Sequence, residues 1–445
     1  MHNTLLHDKR RTIEGVTIVG IDPAKAKHQA VIVDSNGMQI GKTFSFDVTH
    51  EGYCETLWGK VRQIIPNCNQ QNTAFAIETS CNLWLTLAFY LHGEGYTVLL
   101  VSPLTTYHSR PMVNHDFSRT DPKDAMLIAA NARQGYYDRF VVHEPLHSTL
   151  HRLSITYDKL RKDCARNRAR LRALIEQIFP EFLTIVEPDT QSAMYLLKRY
   201  LFPDEFLSLN IAKEVDAISA ISRNQYGMNS LIQLQRAAHH TIGVVKTADE
   251  RIAERISLDC WIAHIETIST NLERVFKELV RYAGQLPEYY ILLSVKGISE
   301  KTAALFLAEV LDIHRFSHYK QIEKRAGMNL RLSQSGQFVG TRHISHLGNS
   351  RLRWLLYSMT EETARWIPEV RIKYLQRQMK VRRHRKNIVA SCPQLLKLIM
   401  ALVKERRTYE LRQDSLARMT VLEQQYAEFK EKRKNKKRAL AEQAA

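Results

Sequence analysis

Acidic side chains are scarce beside basic ones: 46 aspartates and glutamates stand against 64 lysines and arginines, a net charge of +18 over 445 residues. That imbalance favours a polyanionic partner, nucleic acid before a membrane surface, but alone it does not separate an enzyme from a passive binder. Cysteine is sparse. Cys54, Cys68, Cys81, Cys164, Cys260 and Cys392 contain no CxxC pair. Neither a disulfide frame nor a zinc site is expected, and a reducing, cytoplasmic compartment is. Long apolar runs are missing too. The longest, residues 395–403, is broken by Lys397 and is far too short to span a bilayer. The opening MHNTLLHDKRR lacks the apolar segment of a secretory signal. There is no internal repeat and no Pro- or Gly-rich linker. Apolar (44%) and charged (25%) shares are those of ordinary globular chains, which excludes wholesale disorder and collagen. At roughly 100–200 residues per domain, the length suggests two to four domains.

Residues 16–34 read as two β runs around a polar turn. VTIVGID is apolar almost throughout, like a strand buried on both faces, and HQAVIVD leads into a turn at DSNG. MQIGKTFSF completes a meander. Residues 51–65 are apolar at helical spacing and TAFAIE (73–78) is another buried strand. A helix over 82–95 ends in glycines, YTVLLV (96–101) is a fifth strand, and a helix over 121–135 runs into Gly135. The order βββ-α-β-α-β-α is what an RNase H-like nuclease fold needs; by itself it argues for a mixed α/β sheet. After about residue 145 the periodicity becomes helical. Residues 152–172 hold eight basic and two acidic side chains around Leu153, Leu160 and Leu171. Residues 245–283 form a second long amphipathic stretch through Ile252, Ile256, Ile262, Ile265, Ile268, Leu272, Val275 and Leu279. Two long helices around a helical insert (185–240) read as an antiparallel coiled-coil arm, the natural element for dimerisation. A small helical domain follows, and then a helical tail that dissolves into KEKRKNKKR.

Four acids stand where chemistry could use them. Asp22 ends the first strand, Glu78 ends the fourth, and Asp121 and Asp124 open a helix. Phosphodiester hydrolysis or transfer by two metal ions needs several carboxylates converging on one point, around ions about 3.5–4 Å apart. Acids at the ends of neighbouring strands converge in that way, and a helical pair at i and i+3 shares a face. Each acid also has a plainer explanation. Aspartate at a strand end is often a turn former, and Glu78 after an apolar strand has a similar one. DPKD is a good helix start, with Asp121 as N-cap, Pro122 in the first helical position and Asp124 favoured by the helix dipole. Taken singly, the cap explanation wins; all four in strand-strand-helix order favour a metal site.

The set GID, AIE and RTDPKDA resembles the DEDD tetrad of RuvC-like nuclease domains, in particular that of the transposases of the IS110 insertion-sequence family. Those proteins couple a RuvC-like N-terminal domain, through a coiled coil, to a C-terminal transposase domain carrying a serine. LLSVKGISEKTAALFLAEVLDIHRFSHYKQIEKRAGMNLRLSQSG and HISHLGNSRLRWLLY resemble that C-terminal domain, and NIVASCPQLLKLIMALVKERRTYE its closing helix, so the likeness runs over residues 16–410. The chain departs from the pattern at KGIS, where a PGIG-like sequence is more usual, and at His346, where lysine is common. The resemblance implies an α/β plus all-α chain. Its parts would be a RuvC-like nuclease domain at 14–145, a coiled-coil arm at 146–286, a transposase domain at 287–410 with a helix-hairpin-helix-like element, and a basic tail at 411–445. It implies that Asp22, Glu78, Asp121 and Asp124 bind Mg²⁺, with Mn²⁺ as a substitute. Ser335, with Ser333 as a close neighbour, is then the nucleophile that forms a transient phosphoserine linkage. Implied partners are element and target DNA, a non-coding guide RNA and further copies of the chain in a dimer or tetramer, with no membrane.

Read from the residues alone, SVKGISEKTAALFLAEV is two short helices joined by a glycine-containing turn. That is an ordinary αα-hairpin, or a hairpin whose backbone N–H groups hold a DNA phosphate, with Lys296, Gly297 and Lys301 at the turn. Arg325, Arg331, Arg342, Arg351 and Arg353 follow, with Phe338, His343 and Trp354 interleaved, a pattern suited to backbone contact or base stacking. The basic runs at 371–386 and 430–438 are solvated faces or further nucleic-acid contacts. The expected function is a Mg²⁺-dependent DNA transposase or recombinase. Two alternatives stand beside it: a junction-resolving nuclease that activates water at the same acids, and a non-catalytic nucleic-acid-binding protein.

Overall fold

The computed structural model describes residues 2–112, 120–331, 334–335, 338–339 and 343–444, giving the backbone alone at 2–5, 112, 334–335, 338–339 and 436–444. Two compact units are present, Met1–Val142 and His143–Ala445.

The first unit begins with helix α1 (His2–Thr12) and is built on a mixed sheet. Strands β1 (Thr17–Asp22), β2 (Lys27–Val33) and β3 (Gln39–Asp47) form an antiparallel meander. A π-helical turn (Gly52–Leu57) and α2 (Trp58–Ile64) lead to β4 (Thr73–Glu78), parallel to β1. Helix α3 (Leu85–Gly93) leads to β5 (Thr97–Val101), parallel to β4. Helices α4 (Pro103–Ser109) and α5 (Asp121–Arg133) precede a short antiparallel edge strand, β6 (Asp138–Arg139). The strand order among the described residues is β3-β2-β1-β4-β5-β6. Parallel neighbours need crossovers, and these helices provide them. Alternation along the strands splits the core in two. Val19, Ile21, Phe75 and Ile77 pack against Trp58, Val61, Leu87 and Leu91. Ile18, Ala74, Ala76 and Leu99 pack against Ala125, Ile128, Ala129 and Ala132 of α5. Helix α5 crosses β1 at Gly20, where an added Cβ would lie 2.5 Å from the Ala125 carbonyl oxygen and 2.7 Å from the Ala129 Cβ. Only glycine admits that approach.

Strands β1 to β5 fall within a residue or so of the sequence expectation. Helices α1 and α4 and strand β6 extend the expected order. These pieces are too short or too polar to show a periodicity, and contacts between segments remote in sequence help hold them. Lys9 Nζ, for example, lies 3.1 Å from Asp138 Oδ1, and Arg10 Nε donates to the Gln134 carbonyl at 2.9 Å.

In the second unit α6 (Pro145–Ile178) pairs with a later helix of similar length. Between them lie the short helices α7 (Phe182–Ile185), α8 (Gln191–Leu197), α9 (Pro203–Leu207), α10 (Ile211–Ser222) and α11 (Met228–His239). The partner is α12 (Ala248–Ala283). The two run antiparallel: Leu150, near the start of α6, shares a core with Leu279 and Ala283, near the end of α12. Leu171, Leu174 and Ile178 share another with Leu258, Ile262 and Ile265, which the insert caps. Two residues of the expected stripe do not belong to it, since Ile252 and Ile256 are 61% and 59% exposed. At about 100° per residue Ile256 lies some 200° around the helix from the buried Leu258, and the seam runs through the latter.

The C-terminal helices share the core at the base of this pair. They are α13 (Pro287–Leu293), α14 (Glu300–Val310), α15 (Tyr319–Arg325), α16 (Ser350–Trp366), α17 (Pro368–Lys380) and α18 (His384–Glu405). Phe306, Leu352, Leu356, Leu395 and Ile399 fill the centre. Two-residue strands lie between α15 and α16: β7 (Leu330–Arg331) pairs with β10 (His343–Ile344), and β8 (Gln334–Ser335) with β9 (Phe338–Val339). Helix α18 is the one described helix long and apolar enough to cross a membrane, and its Ile388, Cys392, Leu395 and Leu396 are buried in this core. The tail is helical from about 411 as expected, but it does not dissolve at the basic run 430–438. Helix α19 (Gln413–Ala444) runs through the basic stretch and is tied to α17 by Arg371 Nε and Glu423 Oε1, 3.0 Å apart.

Candidate active site

The sheet register brings two of the four acids together. Ile21 of β1 pairs with Ile77 of β4 in parallel, so Asp22 and Glu78 each lie one residue further along adjacent strands. Neighbouring strands are about 4.8 Å apart. By alternation both acids follow Gly20 and Ala76 onto the face covered by α5. The close contact at Gly20 sets α5 down on that face, and its first turn carries Asp121 and Asp124. The cap assignment shifts by one residue: Thr120 is the N-cap, makes no side-chain cap bond, and Asp121 is the first helical residue. Asp121 is therefore not held as a cap. It is exposed at the helix start, while Asp124 and Glu78 are buried.

The acids feel one another. Burial first, and then the charges of Glu78, Asp124 and Asp121, push the Asp22 carboxyl up to about 7, against a smaller opposing pull from Arg110. That arginine was not singled out by the sequence. It follows α4, is buried, and grips Asp124 with both arms: Nε donates to Oδ1 at 3.0 Å and Nη2 to Oδ2 at 2.9 Å. It also feels the charges of Glu78 and Asp22. No local pattern marks it, because it reaches Asp124 from 14 residues away through the fold. A second unflagged residue is His28, fully buried on β2, with burial depressing its pKa to about 4. Its Nδ1 accepts the Ala24 N–H at 3.1 Å, which leaves the Nε2 proton for Tyr53 Oη at 3.0 Å. A neutral imidazole thus pins the loop that leaves Asp22.

The donor set suits a hard divalent cation in kind, being carboxylate oxygens alone around an excess of negative charge. It is not a closed cage in this arrangement. Among the described residues no three His, Cys, Asp or Glu side chains are poised to share one ion, and Arg110 occupies both oxygens of Asp124.

The predicted nucleic-acid residues have diverse settings. Lys296 Nζ stands 3.8 Å from the Trp366 ring centroid. Gly297, at φ +102°, abuts the backbone of Glu362 and Thr363, where a Cβ would come within 3.0 Å. Lys301 and Arg351 meet in one pocket with Trp354. Arg325 and Arg331 are exposed. Arg353 is committed internally, donating to the Ala326 carbonyl at 2.8 Å. Arg342 and Ser333 lie outside the described residues. Ser335 is placed by its backbone in the β8–β9 ribbon, and its side chain lies outside the description too.

Two family models match the chain. One, for IS110-type DEDD proteins and described as a transposase, covers residues 19–180. The other, for transposases of the IS116/IS110/IS902 family, covers residues 289–375. The uncharacterized 44.8 kDa protein of insertion element IS116 from Streptomyces clavuligerus is 24% identical over 399 residues, 88% of this chain and 95% of that protein. The uncharacterized 43.6 kDa protein of insertion element IS110 from Streptomyces coelicolor is 22% identical over 307 residues, 66% of this chain and 73% of that one. With models matching both ends and a relative aligned along most of its length, the chain belongs to the IS110 family of insertion-element transposases.

Proposed function

We propose that this transposase breaks and rejoins DNA strands at a divalent-cation site formed by Asp22, Glu78, Asp121 and Asp124, with Ser335 as the nucleophile. The observation that carries the reading is that Asp22 and Glu78 end adjacent strands on the face covered by the helix bearing Asp121 and Asp124, where burial first and then the charges of the other three acids lift Asp22 to about 7. The β3-β2-β1-β4-β5 order, with acids at adjacent strand ends, supports an RNase H-like domain of the RuvC type. The antiparallel pair α6 and α12 supports a coiled-coil arm, and the α13–α14 hairpin supports a helix-hairpin-helix element.

Bound Mg²⁺ or Mn²⁺ would neutralise phosphate charge and activate the attacking oxygen. The residues of the chain supply the frame. Gly20 seats α5 so that Asp124 stays beside the strand ends, His28 pins the loop after Asp22, and Arg110 orients Asp124 through both of its oxygens. The Ser335 hydroxyl attacks a DNA phosphorus. A bond from Oγ to phosphorus forms, the bond to the leaving DNA oxygen breaks, and the serine proton ends on that oxygen or on solvent. A freed DNA hydroxyl then attacks the same phosphorus and releases the serine. One ester replaces another at each step, so no nucleotide cofactor is required. The serine and the acids must meet, within one chain or between copies of a homo-oligomer. The basic surface suits element and target DNA and a non-coding guide RNA, acting in the cytoplasm.

The test is a strand-exchange assay on element-end DNA with Mg²⁺, read on denaturing gels for a covalent protein–DNA adduct. Wild type should form the adduct and Ser335→Ala should not. Asp22→Asn and Glu78→Gln should abolish both adduct and exchange. Cleavage that survives Ser335→Ala would assign the chemistry to water instead. Exchange that survives the acid variants would remove the metal site altogether.

A further inference from the structure

A second site lies in the C-terminal unit, where the base of α6 meets α14 and the start of α16. It is a pocket of about 210 Å³ whose walls combine two aromatic rings with four cations: Tyr157, Trp354, Arg161, Lys162, Lys301 and Arg351. Asp158 is the one carboxylate in its lining, and it pairs with Lys162 at 2.7 Å and Arg161 at 3.3 Å. Trp354 is 47% exposed, an unusual degree for so large an apolar ring. Arg161 stands 5.3 Å from the Trp354 ring centroid and Lys301 5.1 Å from that of Tyr157, so each ring has a cation beside its π-face.

The base of the pocket is rigid. Glu309 is fully buried. Its Oε1 accepts from Ser154 Oγ and from Arg351 Nε, both at 2.7 Å, and its Oε2 accepts from Asn349 Nδ2 at 2.5 Å. Three helices are thereby locked together, and Arg351 is oriented before any ligand arrives. A buried carboxylate spent on orienting a half-exposed arginine is a feature of built sites.

We propose that this pocket receives one unstacked nucleotide of a single-stranded nucleic acid. The base stacks on Trp354 and Tyr157, and the flanking phosphates lie among Arg161, Lys162, Lys301 and Arg351. A flat ring carrying phosphate satisfies both halves of the lining. An acidic peptide would satisfy the cations but not the rings, and a base within a duplex cannot present its face. The chemistry is shared by RNA and by unpaired DNA, and the experiment separates these sources. The proposal rests on the transposase reading for the presence of such strands, though not on the carboxylate chemistry.

The full-length chain is titrated with a 12-nucleotide oligo-U, an oligo-dT, an abasic deoxyoligonucleotide of the same length, and duplex DNA, following tryptophan fluorescence and anisotropy. Both base-bearing single strands should quench the Trp354 emission, the tighter of the two naming the source. Trp354→Ala should weaken single-strand binding by about tenfold, in the range of one base–aromatic stack, and leave abasic binding unchanged. Trp354→Phe should retain the affinity and lose the quench. Lys301→Ala should lower the salt dependence of single-strand binding by about one phosphate contact. Circular dichroism of each variant checks its fold. Single-strand affinity unaltered in Trp354→Ala, or an equal loss for abasic and base-bearing strands, would overturn the nucleotide pocket while leaving strand exchange intact. Strand exchange that survives the serine and acid substitutions, with base stacking retained, would instead overturn the catalytic reading alone.

Discussion

Replacing Asp22 by Asn should stabilise the metal-free protein above neutral pH and abolish its activity. Burial and the neighbouring carboxylates raise the Asp22 pKa from 3.8 to about 7. Between those values the folded state keeps a proton that the unfolded chain has released. The stability linked to that proton is complete below about pH 4 and is lost as pH rises through 7. A shift of this size would equal about 4 kcal/mol for a fully buried group. Asp22 is only half-buried, and solvent screening brings the figure down to about 1–2 kcal/mol. Asparagine keeps the shape and never ionises. In scanning calorimetry of the full chain, the variant's N-terminal transition should lie roughly 3–6 °C above wild type at pH 8.5 and close on it as pH falls to about 4. Mg²⁺ should raise the wild-type transition at pH 8.5 and leave the variant nearly unmoved. A difference between the two proteins that is the same at both pH values would refute the reasoning, because the carboxylate charge would then not be its cause.

Other consequences concern neighbouring residues. Arg110→Ala leaves Asp124 buried beside like charges and should cost about 3–5 kcal/mol in urea denaturation at pH 8 without metal; Mn²⁺ should restore much of this, and calorimetric titration should show tighter Mn²⁺ binding than in wild type. Gly20→Ala drives a methyl into the backbone of α5, so a loss of about 1–3 kcal/mol is expected, together with loss of strand exchange. Glu309→Gln weakens the bonds to Arg351, Asn349 and Ser154 and should cost about 3 kcal/mol at pH 7. Burial alone would raise the Glu309 carboxyl, but those bonds outweigh it and hold it below the usual 4.5. Its stabilisation is therefore complete above that value and lost as pH falls through the depressed one, so wild type and variant should converge in acid.

Strands β1 to β5 were legible because burial on both sheet faces leaves long apolar runs, and GID and AIE stood out because an acid terminates each run. The DPKD helix start was equally visible, yet its cap assignment shifted to Thr120, since local patterns set an end only to within a residue or two. Arg110 and His28 could not be read in advance. An arginine among many and a lone histidine gain meaning only from partners that the fold delivers. The two long helices α6 and α12 were plain from their length, but the stripe through Ile252 and Ile256 strayed from the seam. Periodicity shows that a helix is amphipathic better than which of two apolar edges is covered. The nucleotide pocket lies between these cases: Arg351 and Trp354 share a basic, aromatic stretch and Lys301 a separate hairpin, and only the fold sets them beside Tyr157 and Arg161 of α6.

The antiparallel pairing of α6 with α12 also sets a length scale. Thirty-four residues of α-helix rise about 50 Å, which separates the insert at one end from the helices packed round Leu150 at the other. A B-form duplex advances about 3.4 Å per base pair, so the pair is as long as roughly fifteen of them. A single nucleic-acid molecule that touches both ends must cover at least that reach, and shortening both helices by matched turns would move the permitted spacing in steps of about 5.4 Å.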